Sequence, residues 1–497
     1  MGKYDELVER LRTVNDINNA TGVLSWDQQT VMPPGGAEAR ARQMSTLARM
    51  GHELFTDDAT GKLLEEAENE VDDTYDSDEV SMLRVVKEDY ALATRIPASL
   101  VAEFTQVTTM AHETWAKARA ASDFSQFEGT LTKIIELEHQ ITEHLGYKDH
   151  PYDALLGQYE RGMTAARVAE IFEAHRPALV DLIAQISKAK QVDDSPLRHE
   201  FAIDKQREFG LMVVKQLGYD MERGIQAISV HPFCQNFSVN DVRITTRFET
   251  NFLNPALFGM MHEAGHAMYE QGVAQRLDGT PLASGTSLGV HESQSRMWEN
   301  IIGRGKHFWQ WALPKLKDTF PQLANVSADD FYKAINKVER SFIRVEADEA
   351  TYNLHIILRF EIEKDLLTGK LPVKDLPKEW NARFEQYFGI VPPNDALGAL
   401  QDVHWSAGLM GYFPTYALGN LLSVQYFNEA QKAHPDLLNE VAEGKFDTLL
   451  TWLQTNIHQH GRKFTAEELT QRITGGSIDP MPYVTYLQDK FGGVYGL

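Results

Sequence analysis

The sequence predicts a mainly α-helical protein with one small β element, and three observations lead there. Apolar residues recur at helical spacing along most of the 497 residues, with no internal repeat, low-complexity tract or Gly/Ser linker. One run, 240–248, alternates apolar and polar residues and is rich in β-branched side chains. Hydrophobic residues make up 43% of the chain, ample for a large core.

Taken in order, residues 4–18 carry helical periodicity, and 26–36, with Pro33-Pro34-Gly35-Gly36, reads as a loop. Helical patterns follow over 37–54, 80–94, 100–121 and 127–145, and another runs from Thr164 toward Ala189. The run 240–248 reads as a half-buried strand, which either pairs with an extended peptide or only braces the core. The next helix has Asn254 as its N-cap, Pro255 in its first turn and Gly272 as its stop. Leu257, Met260, Met261, Ala264 and Met268 form its apolar stripe. Helical patterns over 328–367 and 436–458 complete the C-terminal third. A single domain over 1–497 is the economical organisation. Chains beyond ~250–300 residues often divide, so two helical lobes with a boundary near residue 200 are the variant reading.

The formal charge of −23 argues against nucleic acid and against anionic membrane surfaces as partners. No apolar run approaches the ~20 residues that span a bilayer. The opening Met-Gly-Lys-Tyr-Asp-Glu lacks a signal-peptide core and the hydroxyl residue of a myristoylation pattern. Cys234 is the only cysteine, so an internal disulfide and a cysteine-based zinc cluster are both excluded. The expectation is a cytoplasmic, reducing location, with any metal held by His and carboxylates.

His262-Glu263-Ala264-Gly265-His266 supplies such ligands. Helical spacing puts both imidazoles on one face, one turn apart, where they can share a metal ion. Glu263 lies beside them as candidate general base for a metal-activated water. A catalytic zinc takes three protein ligands and keeps an open position. A third His six residues after His266 is excluded, because Gly272 stands there. Glu292 is the preferred third ligand, since it follows a Gly/Ser/Thr loop and opens a new helical run; His291 and Glu299 are its rivals. Two neutral imidazoles and one carboxylate leave a site charge near +1, enough to bring a bound water's pKa toward ~7. Further along, His404, Tyr412 and Tyr416 lie in a Gly- and aromatic-rich stretch that breaks helical periodicity. They are candidate donors to a developing oxyanion or to substrate.

These pieces resemble the carboxypeptidase Taq family of metallopeptidases. The matching segments are His231-Pro232-Phe233, Asp241-Val242-Arg243-Ile244-Thr245, the 262–266 motif, His291-Glu292-Ser293-Gln294 and the stretch 398–405. Five motifs in this order are highly specific, and the resemblance spans essentially the whole chain. It implies a zincin-like helical fold with a small β-sheet beside a deep active-site groove. It implies release of single C-terminal residues with broad side-chain tolerance, by one divalent metal per chain. That metal would be zinc, with cobalt or manganese as substitutes. It also implies a homodimer, and carries the ligand roles onto His262, His266 and Glu292, with Glu263 as base.

A carboxypeptidase must hold a free C-terminal carboxylate, and arginine's planar fork suits that task. Arg243, Arg296, Arg344 and Arg359 are the candidates. Arg344 is favoured, because its segment is similar to one thought to hold the carboxylate in the family, and Arg243 is next. Arg359 and Glu363 are i,i+4 neighbours and read as a structural ion pair. The expected partners are peptides with a free C-terminus. Two competing readings stand beside this one: a related helical endopeptidase or dipeptidyl carboxypeptidase, and a peptide-binding scaffold with a structural metal.

Overall fold

The computed structural model describes residues 2–497. Among these it has twenty α-helices and one three-stranded sheet, and no helix is long and apolar enough to cross a membrane. The mainly helical expectation with a small sheet therefore holds. The chain divides into two compact units, each assembled from three separate segments.

The first unit comprises Met1–Thr94, Asp194–Ile335 and Tyr426–Ser477. Its sheet has the order β1 (Gln226–Ile228), β3 (Asp241–Thr246), β2 (Cys234–Ser238), with β3 parallel to β1 and antiparallel to β2. Two motifs meet across this sheet: the Thr245 hydroxyl accepts from the Phe233 N–H at 2.9 Å. β3 packs on helix Asn254–Gly272, whose apolar stripe of Leu257, Met260, Met261, Ala264 and Met268 is buried. Leu7, Leu11, Leu64, Met82, Val85 and Val86 from the N-terminal helices join Val273, Leu277 and Leu282 in one apolar cluster. Each such side chain contributes about 1.5–3 kcal/mol on leaving water, which anchors the turn after that helix.

The second unit comprises Arg95–Asp193, Asn336–Gln425 and Ile478–Leu497. Helix Tyr352–Leu367 is buried on nearly every face, and its polar residues Asn353, His355, Arg359 and Glu363 are buried along with the apolar ones. Helices Ser125–Leu145, Ala165–Ile186 and Leu376–Phe388 surround it.

Several local expectations are corrected. Residues 26–30 are not loop, because helix Lys3–Thr30 runs on through them. Trp26 is buried there, edge-on to Phe233 at 5.4 Å, so packing extends the helix to the prolines. The pattern 328–367 is two helices, Ala328–Ile335 and Tyr352–Leu367, with an irregular stretch between. Asp348 stabilises that stretch by accepting from the backbone N–H groups of Glu339, Ala350 and Thr351, donors a continuous helix would have paired internally. The pattern 436–458 breaks at Gly444, whose φ of +78° suits glycine and where a Cβ would strike Trp311. Asn254 does not cap its helix: it is the first helical residue, Leu253 holds the cap position, and no side-chain cap forms. Finally, β3 has neighbours on both edges, so it braces the metal helix and has no edge left for a peptide.

Candidate metal centre

Helix Asn254–Gly272 presents His262 and His266 one turn apart, and the chain then folds back through a loop to helix Leu288–Arg296. Ser287 starts this second helix by accepting from the Val290 N–H at 3.1 Å. The two helices approach at Gly265, where a Cβ would lie 2.6 Å from Ser295 Cα and 2.9 Å from Gln294 O. Only a glycine admits backbone this near, and the approach carries Glu292 to the histidines.

Three ligand atoms converge. His262 Nε2 and His266 Nε2 are 3.2 Å apart, and Glu292 Oε2 is 3.7 and 3.6 Å from them. Donors bound at ~2.0–2.2 Å around a tetrahedral zinc stand roughly 3.3–3.6 Å from one another, so the triangle fits. The remaining valences of these groups are already used. His262 Nδ1 bonds Glu299 Oε2 at 2.9 Å, His266 Nδ1 bonds His291 Nδ1 at 2.5 Å, and Glu292 Oε1 accepts from Arg296 Nε at 2.7 Å. What is left facing the centre is one lone pair from each ligand, the donor set a divalent ion takes.

Charge points the same way. The carboxylates of Glu263, Glu270, Glu292 and Glu299 surround the imidazoles, against the guanidiniums of Arg296 and Arg304. This leaves a formal excess of two negative charges in a buried setting, which a dication would cancel. Burial lifts the Glu263 carboxyl to about 7; His262 opposes this, while Glu292 and Glu299 add to it. Burial also opposes the charge on Glu299, but Arg296 and His262 outweigh it and hold that carboxyl well below its usual range. Burial, then the neighbouring His291 and His262, keeps His266 well below the usual imidazole value, so it stays neutral as a ligand must. Among the described residues no protein donor reaches the Glu263 carboxylate, which is 7% exposed.

Of the two rivals to Glu292, neither joins the triangle. Glu299, in the π-helical turn Met297–Gly303, supports His262 from behind, and His291 supports His266. Glu270 was not singled out from sequence, although its position four residues after His266 puts it on the ligand face.

In the second unit Arg344, His404, Tyr412 and Tyr416 come together. The Arg344 guanidinium lies 5.0 Å from the Tyr416 ring centre, and the His404 ring lies 5.6 Å from that of Tyr412. His404 Nε2 stands 3.5 Å from the Tyr416 hydroxyl. Burial lowers His404 to about 4 despite Asp402 nearby, so its ring is neutral at neutral pH. Sequence reasoning missed the hub of this cluster, Asp402. Its Oδ1 accepts from Arg344 Nε and Nη2 at 3.0 and 2.9 Å, and its Oδ2 from Arg359 Nε at 2.6 Å. Arg359 is thus a structural ion-pair residue, but its partner is Asp402 rather than Glu363. Glu363 instead accepts from Tyr152, Trp405 and the Gly411 N–H. Arg243, on β3, is engaged by Asp241 at 2.7 Å through both Nε and Nη2, and Arg296 holds Glu292 and Glu299.

Two histidines on one helical turn, a third carboxylate from the returning helix and an unengaged glutamate beside them define a metallohydrolase centre of the H-E-x-x-H type. Among known families, residues 6–491 match the Carboxypeptidase Taq (M32) metallopeptidases. The chain is 39% identical over 505 residues to Thermostable carboxypeptidase 1 of Thermus thermophilus, covering 99% of both. It is 36% identical over 492 residues to Carboxypeptidase 1 of Bacillus subtilis, covering 99% of this chain and 98% of that one. The crystal structure of the M32 carboxypeptidase from Deinococcus radiodurans R1 superposes with a TM-score of 0.97 at 42% identity, over 100% of each chain. The chain belongs to the carboxypeptidase Taq family and is a metallocarboxypeptidase with its metal site at His262, His266 and Glu292.

Proposed function

We propose that this enzyme releases single residues from the C-termini of peptides with broad side-chain tolerance, with Arg344 holding the terminal carboxylate and Glu263 acting as general base. The observation that carries the exopeptidase reading is the unbalanced charge around Asp402. One carboxylate serves two buried guanidiniums, of which Arg344 is 5% and Arg359 0% exposed. A net positive charge therefore stays buried, and such a charge calls for an anion. Arg359 is occupied by Asp402, Gln401 and the His355 carbonyl. Arg344 has five N–H groups, of which three are engaged, by Asp402 twice and Tyr352 once. One N–H on each Nη is left, the fork that a carboxylate binds. Arg243 is less suited, since it pairs one-to-one with Asp241 and leaves no net positive charge there.

A divalent ion on His262, His266 and Glu292, when bound, supplies Lewis acidity toward a carbonyl and toward water. Glu263 accepts the proton of the attacking water and returns it to the leaving amine, a role its unengaged carboxylate supports. His404, Tyr412 and Tyr416 are neutral donors suited to the negative charge that grows on the scissile carbonyl oxygen. A His2Glu donor set favours zinc and also accommodates cobalt or manganese. The single cysteine supports a cytoplasmic location, and the family resemblance supports a homodimer.

The test is mass spectrometry of a mixed peptide set with free and amidated C-termini, before and after chelation. Single amino acids should leave free C-termini only, and chelation should stop their release. Internal fragments or dipeptides would replace this reading with the endopeptidase or dipeptidyl one. With Arg344→Ala, KM for free-carboxylate peptides should rise with a smaller change in kcat; an unaltered KM would move the anchor to Arg243.

A further inference from the structure

The support behind the two histidine ligands differs. His262 is backed directly by a carboxylate, Glu299. His266 is backed by a second imidazole. His291 Nδ1 lies 2.5 Å from His266 Nδ1, and the other ring nitrogen of His291 lies 2.8 Å from Glu270 Oε1. The two rings are 4.5 Å apart. Glu270 is 3% exposed and fully committed: Oε1 also accepts from the Gly285 N–H at 3.1 Å and the Ser284 hydroxyl at 3.3 Å, and Oε2 accepts from Asn236 Nδ2 at 2.8 Å.

We propose that Glu270, acting through His291, is a positioning residue that fixes the His266 tautomer and so makes Nε2 its metal-binding atom. The argument is one of donors and acceptors. A carboxylate only accepts, so His291 must donate from Nε2. With its proton on Nε2, His291 offers a lone pair at Nδ1, which can receive but cannot give. The proton between the rings therefore belongs to His266 Nδ1, and the His266 Nε2 lone pair is free. Reversing the polarity at Glu270 reverses every step and puts a proton on His266 Nε2, where it blocks ligation. Surrounding groups lock Glu270 against such a reversal, because the Asn236 amide and the Gly285 N–H are both donors aimed at its oxygens. Glu270→Leu removes the acceptor altogether, so His291 Nε2 loses its partner and nothing sets the polarity of the bond between the two rings.

This inference rests on the assignment of His262, His266 and Glu292 as metal ligands, and the experiment separates the two. Zinc affinity of the full-length chain is measured by competition with a chromophoric chelator. It is compared in the wild type, Glu270→Leu, His291→Ala, the double variant, and Glu292→Ala as reference. Glu270→Leu and His291→Ala should each bind zinc about 10- to 100-fold more weakly, the range for residues that orient a ligand from behind. The double variant should be no weaker than the worse single one, because both act through one chain. The visible absorption of the cobalt-loaded protein should change in both, a signature that loss of packing elsewhere would not produce. An affinity within twofold of wild type, or losses that multiply in the double variant, would overturn the proposal while Glu292→Ala still bound poorly. Full affinity in Glu292→Ala would overturn the metal-site assignment itself. Should Glu270→Leu fail to fold, His291→Ala alone carries the test, and an unchanged zinc affinity and cobalt spectrum there would overturn the proposal.

Discussion

Replacing Gly265 by alanine adds one methyl group at the narrowest point between the two ligand-bearing helices. The added Cβ would sit 2.6 Å from Ser295 Cα and 3.1 Å from Ser295 N, both backbone atoms that cannot rotate aside. Ordinary carbon contacts lie at about 3.5–4.0 Å, so the helices must separate by about 1 Å. Glu292 is three residues from Ser295 on the displaced helix, and metal–ligand distances tolerate only ~0.2 Å. The displacement is several times that tolerance. Gly265→Ala should therefore lower zinc affinity and cost about 1–3 kcal/mol in stability from overpacking. Denaturant midpoints of metal-free protein report the stability change, and chelator competition reports the affinity. Zinc bound as tightly as in the wild type would show that Glu292 does not depend on this backbone approach.

Glu263→Gln keeps all three ligands and should retain metal while kcat falls by about 10²- to 10⁴-fold; turnover near the wild-type rate would remove Glu263 as the base. Asp402→Asn leaves two buried guanidiniums without their shared anion and should destabilise the protein by about 3–5 kcal/mol in urea titrations. A change under about 1 kcal/mol would mean the pair finds another counter-charge. His175 is fully buried on helix Ala165–Ile186, and burial lowers it from 6.5 to about 4. Because its folded value lies below the unfolded one, the unfolded chain takes up the proton first as pH falls. Its share of stability is therefore intact above pH 6.5 and declines toward pH 4, by up to ~3 kcal/mol. His175→Leu should flatten the pH dependence of the urea midpoint across that window relative to wild type, and parallel curves would refute the assignment.

What could be read from the sequence follows from the range over which each signal acts. The ligand pair His262 and His266 needs only helical periodicity, so four residues of spacing suffice. Glu292 needs one chain reversal, and the Gly/Ser/Thr loop before it announces one. The roles of Glu299 and His291 lay beyond that reach, because a carboxylate or imidazole near a metal serves equally well as ligand or as support. Only the π-helical turn and the bond from His291 to Glu270 decide between the two. Glu363 shows the same limit from the other side. Its i,i+4 spacing from Arg359 is real, yet Asp402, 43 residues after Arg359, takes the guanidinium. The break at 336–351 was hidden because apolar periodicity persists across it, whereas Asp348 holds it by local bonds to backbone N–H groups two, three and nine residues away, which the spacing of apolar residues does not report.

Most buried polar atoms in a folded chain are paired, so those left open are informative. Around the metal triangle in the first unit the open groups include one lone pair on each of three ligands and the Glu263 carboxylate, set in a formal excess of negative charge. Around Asp402 in the second unit they include two N–H groups of Arg344, where two guanidiniums share one carboxylate. Neither condition is explained by folding, which would be better served by satisfied partners or by apolar replacements. A bound species of opposite sign would account for each, a dication in the first and, on the proposed function, a substrate carboxylate in the second. A scaffold with a merely structural metal would need the first excess and not the second. It would also have no reason to bury Glu263 beside the ligands with no donor of its own. On the proposed function, hydrolysis next to a free C-terminus would use both, and both rest on side chains whose valences the fold leaves unfilled.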